Sequence, residues 1–131
     1  MRLDVRSILK AAVLGLIIAV LGSILFRVVR IVWLETIFDF ALGGGIGFLF
    51  GRITIRHGGD DSFSAMAVGG AIAAVVPVAL KWMSRAALGA PWAGALDFTL
   101  YPPGIFYALV IGGSVGVMTG LAGALLYASR Y

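Results

Sequence analysis

Residues 104–127 read GIFYALVIGGSVGVMTGLAGALLY, a run of 24 residues without a charge. A helix that crosses a bilayer needs about 20 mostly apolar residues. The run meets that length and lacks the alternation of polar and apolar residues that marks a barrel strand. In lipid a helix satisfies its backbone hydrogen bonds internally, so this segment is predicted to be a membrane-spanning helix.

Working outward, the rest of the chain has the same character. Of its 131 residues 61% are hydrophobic and only 12% charged, and its mean hydropathy is +1.06. Soluble domains are about half apolar and about a quarter charged. A soluble chain this short could not hide the excess, because small domains have much surface for their volume. Three further apolar stretches lie upstream. Helices are predicted over about 8–26, 31–51, 63–83 and 104–127, giving an all-α integral membrane protein: one transmembrane domain over 1–131, built as a bundle of about four helices.

Arg2, Arg6 and Lys10 precede the first apolar stretch, as in a signal peptide. The stretch ends at Arg27 without a small-x-small cleavage site, so it reads as a retained helix.

The connections differ in clarity. Residues 52–61, RITIRHGGDD, form a turn in which Gly58-Gly59 breaks the helix and Asp61 or Ser62 caps the next one. Residues 84–103 form the longest link and hold Pro91, Pro102 and Pro103. Trp82, Trp92 and Tyr101, with Trp33 at the head of the second helix, suit anchors at headgroup level. An interfacial segment is expected over 86–101, with Pro91-Trp92 starting a short amphipathic helix. Residues 27–39, RVVRIVWLETIFD, contain no Gly, Pro or Asn. They are either a tight hairpin around 30–34 or part of one long helix followed by a re-entrant segment at 42–50. The hairpin is preferred, since one uninterrupted helix would be too long for a single crossing.

Four crossings put both termini on one side, with Arg2, Arg6, Lys10, Arg52, Arg56 and Arg130. Arg27, Arg30, Lys81 and Arg85 fall on the other. The positive-inside rule then favours cytoplasmic termini, in a bacterial or organellar inner membrane.

Glycine recurs at four-residue spacing: Gly43, Gly47 and Gly51 in the second helix, and Gly112, Gly116 and Gly120 in the fourth, with Ala124 continuing that face. Positions four apart share a helix face, and a face of small residues lets another backbone approach closely. Such glycine-zipper packing serves a helix of the same chain, a second copy or another subunit. LGGGIGFLFG (42–51) and IGGSVGVMTG (111–120) match at four glycines, and Gly15 aligns with Gly69. The chain thus reads as a duplicated helical hairpin or as two chance-alike glycine-rich halves.

Glu35 and Asp39 lie on one face of the second helix. Carboxylates inside a bilayer are costly and mark ion or proton paths. With Arg27 and Arg30 nearby, the four form a candidate ion or proton site; the plainer alternative is an ion-pair cluster at the membrane edge. Pro77 is a candidate kink in the third helix. Arg56, His57, Asp60 and Asp61 read as a solvated loop.

Enzyme chemistry finds no support. Cysteine is absent and His57 is the single histidine, so no metal site is expected. GGGIG lacks the Lys-Ser/Thr of a P-loop. No cofactor is implied, and the scattered basic residues exclude a nucleic-acid arm. In length and helix number the chain resembles small fluoride channels and small multidrug exporters. It has no Asn and no Thr-Thr-Phe-Ser run for the former, and no embedded Glu in the first helix for the latter. No family is assigned on that basis. The expected function is therefore an accessory or structural subunit of a larger membrane complex, or a homo-oligomer, with membrane lipids and other membrane subunits as partners. The alternative is a small ion-coupled transporter or channel using Glu35 and Asp39.

Overall fold

The structure is a computed structural model and describes residues 3–29, 31–60, 62–87, 91–92, 96–97 and 102–129. It contains four long helices: α1 (Val5–Val28), α2 (Val32–Arg56), α3 (Phe63–Ala87) and α4 (Pro102–Ala128). All four are long and apolar enough to cross a membrane.

Each boundary has a local cause. α1 starts three residues earlier than its apolar run suggests, because Asp4 caps it. The Ser7 backbone N–H donates to Asp4 Oδ1 (3.3 Å) and the Ser7 hydroxyl to Oδ2 (2.8 Å). α1 ends where Val29 turns extended, its N–H still bonded to the Leu25 carbonyl. α2 begins at Val32, so the hairpin reading of 27–39 holds. Val28, Val29, Ile31 and Val32 are all β-branched, which lowers helix propensity slightly at a break that no Gly or Pro marks. α2 runs on to Arg56, five residues beyond the predicted end, until Gly58 takes a φ of +68°. The Ser62 hydroxyl accepts from the Ala65 N–H (3.4 Å), so Ser62 caps α3; Asp61 lies outside the described residues. α3 extends to Ala87 and α4 begins at the paired prolines, as suits their fixed φ.

The link between α3 and α4 departs from expectation. Pro91–Trp92 (β1) and Leu96–Asp97 (β2) pair antiparallel, so Pro91-Trp92 opens a short extended ladder and not an amphipathic helix. The remainder of the interfacial segment, with Tyr101, lies outside the described residues.

α2 and α3 occupy the middle of the bundle and touch each other and both outer helices, while α1 and α4 scarcely meet. The core follows from small residues on α3: Ala65, Met66, Ala73, Ala74 and Val78 are buried, with Phe50 of α2 and Ala124 of α4. α3 is continuous through Pro77, which is itself buried and faces Gly15 of α1.

The closest approach joins α2, α3 and α4. A Cβ at Gly47 would overlap the Gly120 backbone, and one at Gly120 would overlap the Gly70 carbonyl. Gly116 sits against the Ala74 carbonyl and Val75, and Gly112 against Trp82 and Ala79. Gly43 faces Thr119, and Gly51 faces Ala124 and Tyr127. Gly45, by contrast, has nothing within 4 Å of the place a Cβ would occupy. The two hairpins pack unlike one another: Gly15 meets Ile46, whereas its aligned counterpart Gly69 meets Phe50 of α2.

Two outcomes are expected. Gly47→Ala pushes two backbones apart and destabilises the bundle by about 1–3 kcal/mol, while Gly45→Ala is neutral or stabilising by up to about 1 kcal/mol. Unfolding in mixed detergent followed by circular dichroism separates them; equal stabilities would disprove the close approach. Asp4→Ala removes a cap and costs about 0.5–2 kcal/mol. The Asp4 carboxyl is held below its ordinary 3.8, chiefly by the Ser7 hydroxyl and opposed by partial burial, with backbone N–H bonds and the charge of His57 helping. A carboxyl with a depressed folded-state pKa stabilises the fold above its unfolded value and loses that contribution as pH falls through the folded value. Stability profiles below pH 4 should therefore flatten in Asp4→Asn.

Candidate functional site

Of the four candidate spans, Trp33–Arg56 has the lowest mean hydropathy, 1.3 against 1.9 to 2.5 for the others. Glu35 and Asp39 cause much of that, and helical spacing puts both on the same face of α2. That face turns inward: Glu35 is 7% exposed and Asp39 0%. Such burial of two acids requires a partner.

The partner is Lys81 of α3. Its Nζ lies 2.9 Å from Glu35 Oε1 and 3.3 Å from Asp39 Oδ1, and its side chain is fully buried. The Glu35 contact is a charge-assisted hydrogen bond donated by the ammonium. The ammonium also lies 5.9 Å from the ring centre of Phe26 on α1 and 6.0 Å from that of Phe38 on α2. Those rings pack against each other with centroids 5.3 Å apart. Both are within the range of a cation–π contact. Three helices thus enclose one ammonium.

A small polar seam adjoins the triad. The Ser84 hydroxyl donates to the Lys81 carbonyl (2.7 Å) and lies 3.2 Å from the Ser23 hydroxyl of α1. Ser23 also donates to the Ala19 carbonyl. α1 is therefore joined to α3 beside the charged cluster.

Depth follows from helix geometry. Asp39 is six residues inside the start of its span, or about 9 Å along the axis at 1.5 Å per residue. Lys81 is three residues inside the end of the α3 span, Phe63–Ser84. The triad therefore sits toward the end of the bundle that carries the α1–α2 and α3–α4 links. Glu35 is the outer carboxylate, with a side chain 10% exposed, and Asp39 is the inner one at 0%.

The structure revises several expectations. Arginines were the expected partners of Glu35 and Asp39; among the described residues Lys81 is a partner of both. The Arg27 side chain and the whole of Arg30 lie outside the described residues. Lys81 is no loop charge: it is 1% exposed and withdrawn into the bundle. The sequence signal that could have found it is its own isolation, a single lysine at the end of an apolar run facing two acids that needed a cation. Trp33 is 67% exposed and free to reach the headgroups, whereas Trp82 is 7% exposed and packs on Gly112 inside the bundle, so it is no interfacial anchor. The Trp92 side chain is outside the described residues. His57 is exposed at the end of α2, and among the described residues no cluster of His, Asp and Glu could hold a metal ion.

Removing only Lys81 takes its ammonium away from two buried acids. Lys81→Met should cost about 3–5 kcal/mol, while the triple variant Glu35→Gln, Asp39→Asn, Lys81→Met should regain most of that loss. Detergent unfolding of both variants checks the coupling; a triple variant no better than Lys81→Met would count against it. No protein family, curated protein or solved structure matches the chain.

Proposed function

We propose that the chain is a small ion-coupled membrane transporter in which Asp39, Glu35 and Lys81 bind and release a proton. The observation that carries this reading is the contact of three ionisable groups inside the bundle: the Lys81 ammonium lies against both Glu35 and Asp39. Ionisable groups at such depth generally mark ion or proton paths.

The geometry suggests an order of events. Glu35 is the carboxylate nearer the membrane edge and takes up the proton first. Lys81 lies within reach of both acids, so its ammonium shifts toward whichever carboxylate remains ionised. Asp39, one turn deeper, then holds the proton inside the bundle. Pro77 lies one turn before Lys81 on α3 and leaves the Ala73 carbonyl without its usual helical donor. Flexing of α3 at that turn would move Lys81 against α2.

The accessory-subunit or homo-oligomer reading rested on the glycine faces. Those glycines meet α2, α3 and α4 of the same chain, so we read them as an internal zipper, which removes the main reason to invoke another subunit. For orientation, withdrawal of Lys81 from the loop charges leaves Arg27, Arg30 and Arg85 against six basic residues on the terminal side. That balance supports cytoplasmic termini in a bacterial or organellar inner membrane.

Liposomes containing the purified protein and a pH-sensitive dye provide the test. Under an imposed potassium diffusion potential, protein-dependent proton uptake is expected, and Asp39→Asn should abolish it. That variant keeps the size of the side chain and leaves the Lys81–Glu35 hydrogen bond in place, so the fold is retained. Uptake equal in the wild type and Asp39→Asn, or absent from the wild type, would overturn the proposal and return the chain to the accessory-subunit reading.

A further inference from the structure

Between α1 and α2 a groove runs from Phe38, beside the triad, to Arg52 toward the terminal end. It has a volume of about 420 Å³ and is lined by Gly15 and Ile18 of α1 and by Phe38, Ala41, Gly45 and Arg52 of α2, among others. The volume falls within the roughly 300–1,000 Å³ range of small-molecule sites. Ala41 and Gly45 are exposed, so the groove opens outward to the surroundings of the bundle. Its walls are apolar except at one end, where Arg52 stands.

The register of the two helices gathers further positive charge at that end. Gly15 is level with Ile46, since a Cβ at Gly15 would overlap the Ile46 side chain. Lys10 is five residues from Gly15 toward the terminal side, and Arg52 is six residues from Ile46 in the same direction. At 1.5 Å per residue these are about 7.5 and 9 Å, so Lys10 and Arg52 lie at similar depth. Arg56 follows Arg52 by one turn. All three are exposed, and none makes an ion pair among the described residues. Of the acids at this end, Asp4 bonds to Ser7 and Asp60 Oδ1 accepts from the Ser62 N–H, while Asp61 lies outside the described residues.

We propose that this groove binds one anionic phospholipid, with an acyl chain along Ala41 and Gly45 and the phosphate on Arg52. The occupant follows from the combination of an apolar channel with a cationic end at the membrane edge. From Arg52 to Phe38, the far end of the lining on α2, is fourteen residues, or about 21 Å. That is about two thirds of the roughly 30 Å hydrocarbon thickness of a bilayer, long enough to lay an acyl chain along the groove. The guanidinium offers a planar fork of donors that matches phosphate oxygens. The missing side chain at Gly45 keeps the channel open, and no neighbouring contact requires it, because nothing lies within 4 Å of that Cβ position.

Native mass spectrometry of the full chain in detergent, titrated with phosphatidylglycerol and with phosphatidylcholine of the same chains, tests the proposal. One phosphatidylglycerol should bind, about fivefold tighter than phosphatidylcholine. Arg52→Ala should remove that preference, and Gly45→Leu should abolish the bound lipid while thermal unfolding stays that of the wild type. Equal affinity of the wild type for the two lipids would overturn it. So would a Gly45→Leu variant that still binds phosphatidylglycerol. A third overturning result is a Gly45→Leu variant that converts a dimer to a monomer with lipid binding unchanged, which would give the groove to a second copy of the chain.

Discussion

Lys81 cannot stay charged inside an apolar bundle without compensation, and that constraint organises one whole end of the molecule. It draws the inward face of α2 toward α3 through Glu35 and Asp39, and it gathers Phe26 of α1 and Phe38 of α2 around the ammonium. Between helices in lipid the hydrophobic effect is nearly silent, since lipid tails are as apolar as the side chains. Fixed pairing must come from polar contacts and from close packing. The triad supplies the first of these where the helices enter and leave their links.

Close packing takes over further along. Around Gly47, Gly70 and Gly120 the backbones of α2, α3 and α4 come together with no side chain between them. The small residues of α3 fill the space without forcing the helices apart. α1 lies outside this junction and is held by Gly15 against Ile46 and Pro77, Gly22 against Phe38, and the Ser23–Ser84 contact. It is therefore the helix with the least inward surface to share with α2, and the groove opens beside it.

The two ends of the bundle differ in chemistry. The link end encloses a compact, nearly sealed set of charges, Glu35, Asp39 and Lys81. The terminal end displays arginines and lysine outward at the mouth of an apolar groove. In the reading offered here the first handles protons and the second holds lipid. They meet on α2, which carries Asp39 and Gly45 within two turns of each other, so an occupant of the groove would press on the helix that bears the inner carboxylate.

Much of this architecture was legible in the sequence because the bilayer imposes a simple code. Length and apolarity of 8–26, 31–51, 63–83 and 104–127 determine that four helices form, and Gly58-Gly59 and Ser62 determine one of the turns. Glycine spacing marked the faces able to approach closely. The break at Val29 was harder to place, since no Gly or Pro marks it. Which groups meet was decided only by tertiary structure. Arg27 and Arg30 are near Glu35 and Asp39 in sequence, and Lys81 is 46 residues from Glu35. Periodicity says which residues share a helix face, but not which face of another helix will lie against it. The antiparallel packing of α2 on α3 sets that register, and it brings the distant lysine to the two acids.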